Sequence, residues 1–205
     1  VIEWQQRRFG WDIRKDWILF SPGVVTGLNV IVQALTEPGD KVIVQPPVYF
    51  PFFSSVENNG RKLILNQLVE NDGVYSIDFE DLESKMKDGA KMLILCSPHN
   101  PVGRCWTREE LEWIGAKGVE HGVLVVSDEI HCDLVFSGAR HIPIASLSPE
   151  LAAREGGLEH AAGIDGPLCS AGADDRMKLV DEQDDLALGS LHLLDRCLQT
   201  LLELA

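Results

Sequence analysis

A run of apolar residues from Val123 to Val126 is the feature that most restricts the fold of this chain. Such a run, rich in β-branched side chains, is typical of a strand buried in a parallel sheet. The polar segment SDEIH follows directly at residues 127–131. In open α/β sheets the ligand crevice lies beyond the carboxyl ends of the strands. The segment therefore predicts either a binding site at the end of this strand or an ordinary polar loop.

Strand and helix patterns alternate between residues 18 and 136. The predicted strands cover residues 18–20, 41–45, 61–68 and 91–96, with a further strand in the stretch 123–131, and the predicted helices cover residues 24–35, 49–56, 78–87 and 107–121. This alternation predicts the α/β class, with a mostly parallel sheet that carries helices on both faces.

Charge and hydropathy narrow the classes of partner. The 205 residues carry a formal net charge of -14, which disfavours nucleic acids and anionic membrane surfaces because both would repel the chain. No apolar run approaches the length of a transmembrane helix, and the first residues do not resemble a signal peptide. The five cysteines form no CxxC pair, so we expect reduced thiols in a cytoplasmic protein and no zinc site.

The composition of the sequence changes near Arg154. Residues 155–173 are rich in Gly and Ala and show no strand pattern, whereas leucines at helical spacing predict a helix in residues 186–205. From Leu151 onward there are 4 basic and 11 acidic residues, a charge of -7. We therefore expect two parts, residues 1–154 as the α/β domain and residues 155–205 as a linker with a peripheral helix.

Three loops after predicted strands carry candidate binding groups. The segment SPHNPVG places Asn100 between prolines that stiffen the backbone, and PPVY brings Tyr49 to the same edge of the sheet. The segment SPGVVTG leads into a helix whose first N–H groups can bind a phosphate. Each motif alone is explained equally well by a turn or by packing. Together with Asp128, they suit a planar, phosphorylated ring that contains nitrogen.

These motifs at these spacings resemble the fold-type-I pyridoxal phosphate enzymes. Within them, residues 1–154 resemble the class I/II aminotransferase superfamily, and especially its MalY/PatB-like carbon–sulfur β-lyase branch. The resemblance implies a homodimeric enzyme that binds pyridoxal 5'-phosphate. It implies that a sulfur-containing amino acid such as cystathionine is split into a thiol, pyruvate and ammonia. The residues do not separate a lyase firmly from an aminotransferase.

The resemblance also implies roles for six residues. Asp128 would pair with the pyridine nitrogen, Asn100 would bond the phenolic oxygen, and Tyr49 would stack on the ring. The backbone N–H groups of Val24 and Val25 would hold the phosphate. His131 would stand near the phenolic oxygen, where many aminotransferases have a tyrosine.

One feature of the family is missing from the expected place. The resemblance calls for a lysine that bonds covalently to the coenzyme, about thirty residues after the aspartate. No lysine follows Asp128 before Lys178, whose surroundings differ from the family motif, so no catalytic residue is assigned. We expect a fragment incomplete at both ends, or a change of reading frame near Arg154, and no turnover by this chain. The alternative is a divergent, non-catalytic α/β scaffold that binds a partner through its leucine-rich tail.

The remaining polar residues receive plainer interpretations. His99, His121 and His141 show no spacing typical of a metal site, so we expect solvated or helix-capping histidines. Glu129 lies on the strand face opposite Asp128, which favours a structural role.

Overall fold

The structure is a computed structural model that describes residues 1–147, 161–165 and 178–179. Its α-helices are α1 (Ile2–Phe9), α2 (Val24–Leu35), α3 (Pro51–Glu57), α4 (Phe79–Lys87) and α5 (Arg108–His121). Its strands are β1 (Lys41–Val44), β2 (Lys62–Leu65), β3 (Val69–Asn71), β4 (Val74–Ser76), β5 (Ala90–Cys96), β6 (Leu124–Asp128), β7 (Ala161–Asp165) and β8 (Lys178–Leu179). Short 3-10 helices cover Lys15–Trp17 and Ile144–Ser146.

Six strands form one sheet in the order β2-β1-β5-β6-β7-β8. All neighbouring pairs from β2 to β7 are parallel, and only β8 runs antiparallel to its neighbour β7. A separate antiparallel hairpin joins β3 and β4. Because β1, β5 and β6 are adjacent and parallel, their carboxyl ends lie at one edge of the sheet. The expected α/β architecture is therefore confirmed.

Alternate residues of the central strands bury against helices on opposite faces. One core joins α2 and α3 to the face that contains Val44, Ile94 and Val126. The other joins α4 and α5 to the face that contains Leu93 and Val125. Since successive side chains of a strand point to opposite faces, strands covered on both sides must be apolar nearly throughout, as 91–96 and 123–126 are. In the described part of the chain, no helix is long and apolar enough to cross a membrane.

Local sequence signals set both ends of α5, the helix that leads into β6. The Thr107 hydroxyl accepts the Glu110 N–H, and the Glu110 carboxylate accepts the Thr107 N–H, which completes a capping box. Gly122 ends the helix with φ 66°, a left-handed conformation that glycine adopts without strain. A Cβ at Gly118 would lie 3.0 Å from the Val123 carbonyl oxygen, so a glycine there lets α5 approach β6 closely.

Three predictions of secondary structure are wrong. Residues 18–20 form no strand; Ile18 and Leu19 are partly buried against core clusters, and packing alone explains their apolar character. The strand predicted at 61–68 is limited to Lys62–Leu65, and the hairpin after it was not predicted. Residues 155–173, expected to lack strands, contain β7, which pairs with β6 in register from Val125 to Asp128.

The strand β7 has the sequence AAGID, in which Ile164 alone has a high strand propensity. Its backbone pairs with the open edge of β6, and such a tertiary context overrides local propensity. The leucine-rich helix expected in residues 186–205 lies outside the described residues. The domain boundary at residue 154 stays a prediction.

Candidate cofactor-binding site at the strand ends

The site is assembled where β1, β5 and β6 end. Cys96, the last residue of β5, lies in register with Asp128, the last residue of β6. The Ser97 N–H donates to the Asp128 carbonyl at 2.9 Å, so the pairing of the two strands continues into the loop that carries Asn100. The groups that the sequence places at separate strand ends therefore share one edge.

Asp128 is a buried carboxyl group at this edge, with 3% of its surface exposed. Its Oδ1 accepts the Ile130 N–H at 3.1 Å. Burial raises the pKa of Asp128 to about 6; the Ile130 N–H lowers this pKa, and the nearby Glu129 carboxylate raises it. None of these three influences is a cation. A positively charged ligand group beside Asp128 would therefore relieve the cost of its buried charge.

Asn100 is held by its backbone while its side chain stays available. The Asn100 N–H donates to the Cys96 Sγ at 3.3 Å, and the Asn100 carbonyl accepts the Tyr49 N–H at 3.1 Å. Burial and the nearby Asp128 raise the pKa of Cys96 to about 12, so this group stays a thiol. The Cys96 thiol thereby holds the backbone of Asn100 at the end of β5, a role that no local sequence pattern indicates.

Tyr49 begins the turn into α3 and keeps 48% of its surface exposed. Its backbone bond to Asn100 brings the loops after β1 and β5 into contact. A second bond joins the same loops, because the His99 Nε2 lies 3.0 Å from the Pro47 carbonyl oxygen. The structure thus brings Tyr49 and Asn100 together, as the strand order requires.

The first turn of α2 lies at the same edge. Val24 packs against the core that contains Cys96 and Val126. The helical hydrogen bonds begin with the Gly27 N–H, which donates to the Gly23 carbonyl at 3.0 Å. The N–H groups of Val24 and Val25 precede that first bond and have no acceptor within the helix. They can donate to an anion.

His131 lies in the turn that follows β6 and is partly exposed. Its carbonyl accepts the Leu134 N–H at 2.9 Å. Within residues 1–147, no hydrogen bond ties its imidazole to Tyr49, Asn100 or Asp128. His131 therefore lies in the turn directly after the strand end that carries Asp128.

Glu129 follows Asp128 at the end of β6 and accepts hydrogen bonds from several buried groups. Its Oε1 accepts the Ser127 hydroxyl at 2.9 Å and the Ile144 N–H at 3.1 Å, and its Oε2 lies 3.1 Å from the His141 Nε2. Glu129 and His141 are 1% and 3% exposed. The network attaches the segment around residue 144 to the end of β6. The interpretation of Glu129 as a structural residue fits this arrangement.

Two of the histidines expected to be solvated or capping are buried. His99 is 2% exposed and packs edge-on against Trp106, while His141 packs edge-on against Phe9. A lone histidine carries no periodic signal, so the sequence could not reveal this burial. The carbonyl and carboxylate partners of the two rings come from residues distant in sequence.

A third histidine lies in a polar cluster away from the strand ends. Oxygen and nitrogen atoms of Glu83, Glu120 and His121 lie within 4.8 Å of one another. Lys117 contacts both carboxylates, at 3.0 Å from Glu83 and 2.7 Å from Glu120, and Lys87 contacts Glu83 at 2.8 Å. Because lysines neutralise the carboxylates, the cluster is explained as an ion-pair network between α4 and α5.

This chain is similar in sequence to known proteins. The family model "Aminotransferase class I and II" matches residues 4–159. The cystathionine beta-lyase PatB of Bacillus subtilis is 57% identical over 153 residues, which are 74% of this chain and 40% of that protein. The protein MalY of Escherichia coli is 30% identical over 149 residues, which are 72% of this chain and 38% of that protein.

A solved structure extends the similarity to the fold. Cystalysin from Treponema denticola, whose structure contains a pyridoxal 5'-phosphate cofactor, superposes with a TM-score of 0.86 and 35% identity. The match covers 95% of this chain and 48% of cystalysin. This chain therefore spans about 40–50% of the length of these three relatives. By its sequence and its fold, the chain belongs to the class I and II aminotransferase family.

Proposed function

We propose that this chain is the coenzyme-binding part of a pyridoxal 5'-phosphate-dependent carbon–sulfur β-lyase that acts on cystathionine or a similar sulfur-containing amino acid. The observation that carries the proposal is the buried Asp128 carboxyl group, placed at the strand edge with Asn100 and Tyr49. The names of PatB and cystalysin's bound coenzyme support the same class of enzyme. An aminotransferase is the closest alternative, since both activities occur in this family.

The donor set fits the coenzyme on the grounds of charge. A protonated pyridine nitrogen would supply the cation that the surroundings of Asp128 lack. The N–H groups of Val24 and Val25 would bind the phosphate at the positive end of α2. The Asn100 amide would donate to the phenolic oxygen, and the exposed ring of Tyr49 would cover the face of the coenzyme. His131 would lie near the phenolic oxygen.

When bound, pyridoxal 5'-phosphate would supply an electron sink for the negative charge that develops at the substrate α-carbon. The charged Asp128 would hold a proton on the ring nitrogen, which keeps that sink effective. Asn100 would fix the in-plane orientation of the ring, and Tyr49 would exclude water from its face. These residues bind and orient; no residue of the described part is assigned the transfer of the substrate α-proton.

The lysine expected by the resemblance bears on whether this chain can bind the coenzyme covalently and turn over substrate. The next lysine after Asp128 is Lys178, the first residue of β8. In the family the lysine both bonds to the coenzyme and moves the proton. We propose that the chain binds the coenzyme without a covalent bond and does not turn over substrate.

The covalent bond can be tested directly. After incubation with pyridoxal 5'-phosphate and dialysis, we expect no yellow absorbance band and no coenzyme fixed to the protein by borohydride. PatB treated in parallel is the positive control, because its name implies a complete lyase. Mass spectrometry that finds stoichiometric coenzyme on Lys178 after reduction would show that this residue replaces the family lysine.

The same proposal extends to the location, the oligomeric state and the partners of the protein. We propose a cytoplasmic homodimer whose partner is a small amino-acid substrate, with no nucleic-acid or membrane partner. The net charge of -14 supports the exclusion of both polyanions. Sedimentation velocity tests the dimer, and a monomer mass at micromolar concentration would contradict it.

A further inference from the structure

His99 occupies the junction between two of the loops that carry the site. It lies in the loop after β5, immediately before Asn100, and is 2% exposed. Its Nε2 lies 3.0 Å from the carbonyl oxygen of Pro47, which belongs to the loop after β1. That second loop carries Tyr49. The imidazole therefore spans from the Asn100 loop to the Tyr49 loop.

The direction of this hydrogen bond follows from its partner. A carbonyl oxygen only accepts, so the Nε2 of His99 must carry the hydrogen. Burial lowers the pKa of His99, and a neutral imidazole has a hydrogen on one nitrogen alone. The Nε2–H form is thus the tautomer that this position selects.

The surroundings hold the imidazole in place. Its ring packs edge-on against Trp106, with 5.5 Å between the ring centroids. The Trp106 Nε1–H donates to the Cys96 carbonyl at 2.8 Å, which fixes the indole to the end of β5. The imidazole of His99 is therefore held by Trp106, which belongs to the core under α4 and α5.

The two loops are joined at two points, on either side of Val48. The His99 Nε2–H holds Pro47, and the Asn100 carbonyl accepts the Tyr49 N–H at 3.1 Å. If the bond from His99 to Pro47 is lost, only the bond from the Tyr49 N–H to the Asn100 carbonyl remains of these two connections. Because Tyr49 is half exposed, little side-chain packing compensates for that loss.

We propose that His99 is a positioning residue that sets the place of Tyr49 relative to Asn100. It acts through the Pro47 carbonyl and touches no reacting atom. Its effect on the loop that carries Tyr49 follows from the hydrogen bond to Pro47. Its effect on coenzyme affinity rests on the proposed function. The proposal assigns this effect to the side-chain N–H donor, and the ring contact with Trp106 fixes where that donor lies.

Two variants separate the donor from the ring. In His99→Gln the side-chain N–H reaches about as far as Nε2, while in His99→Asn it is shorter by one methylene. Both variants lose the imidazole. Hydrogen exchange of the Tyr49 amide, followed by NMR on the full chain, reports the position of the loop. Amides of Leu93 and Ile94 in β5 serve as references for global unfolding.

We expect the Tyr49 amide to exchange about fivefold to tenfold faster in His99→Asn, relative to the references, because one hydrogen bond is lost. In His99→Gln the rate should stay within about twofold of wild type. Equal rates in the two variants would overturn the proposal, whether both match wild type or both increase. Normalising to Leu93 and Ile94 keeps the result valid if either variant is less stable.

Coenzyme affinity gives the second readout, with pyridoxal 5'-phosphate as the probe. His99→Asn should weaken binding in the wild-type chain and should have no further effect in the Tyr49→Ala background. Additive losses would contradict a role exerted through Tyr49. If the wild-type chain binds no coenzyme, the proposed function fails, and the exchange rates of Tyr49 still decide the role of His99.

Discussion

Replacement of Asp128 by Asn is expected to stabilise the coenzyme-free chain at pH 7 by about 3 kcal/mol. The pKa of Asp128 is raised from 3.8 to about 6 in the folded chain, so folding costs more when the carboxyl group must ionise. Asparagine keeps an oxygen that accepts the Ile130 N–H and carries no charge. Urea unfolding of both proteins at pH 7 measures the difference.

The pH dependence gives this prediction a second signature. A carboxyl group whose pKa is raised on folding contributes no penalty below the unfolded pKa. The penalty grows as the pH rises from about 4 to about 6 and is constant above that window. The stability advantage of Asp128→Asn should therefore be small at pH 4, below about 1 kcal/mol, and complete by about pH 7. An advantage that does not change over this window would show that Asp128 is not buried as described.

Replacement of Glu129 by Ala is expected to destabilise the chain by about 3–5 kcal/mol. The substitution leaves the Ser127 hydroxyl, the Ile144 N–H and the His141 Nε2 without their acceptor in a buried site. Each polar group that stays buried without a hydrogen-bond partner costs about 1–3 kcal/mol, and partial relaxation of the structure reduces the sum. The free energy of unfolding in urea measures the loss.

Glu112→Ala is the matched control for Glu129→Ala. Glu112→Ala also removes a carboxylate, but the ion pair that it breaks with Arg108 is about half exposed on both sides, at 54% and 51%. Exposed pairs of this kind contribute less than about 1 kcal/mol. If both variants lost the same stability, the buried network around Glu129 would not be the reason for the effect.

Much of the sheet could be predicted because buried parallel strands leave a strong pattern. The bounds of α2 agree with the sequence prediction, and β5 agrees within one residue. The strand expected in the stretch 123–131 is β6, which ends at Asp128. The same pattern located Asp128, since the first polar residues after a buried strand must lie at its carboxyl end. The same alternation placed the candidate residues Tyr49 and Asn100 after β1 and β5, whereas the roles proposed for them come from the family resemblance.

What could not be predicted depends on partners distant in sequence. His99 and His141 are buried by contacts with Pro47 and Glu129, and no local pattern encodes those contacts. The strand β7 forms because the edge of β6 is available to pair, although Ile164 alone among its residues has a high strand propensity. Residues 18–20 show the reverse case, in which an apolar run packs on the core and pairs with no strand.

The central claim is that Asp128 recognises a pyridine nitrogen at the strand edge. A titration of wild type and Asp128→Asn with pyridoxal 5'-phosphate, followed by protein fluorescence at pH 7.5, tests it most directly. We predict saturable binding by wild type and about tenfold to a hundredfold weaker binding by Asp128→Asn, because a buried charge partner is lost. Equal affinity of the two proteins, while Asp128→Asn remains folded, would contradict the claim.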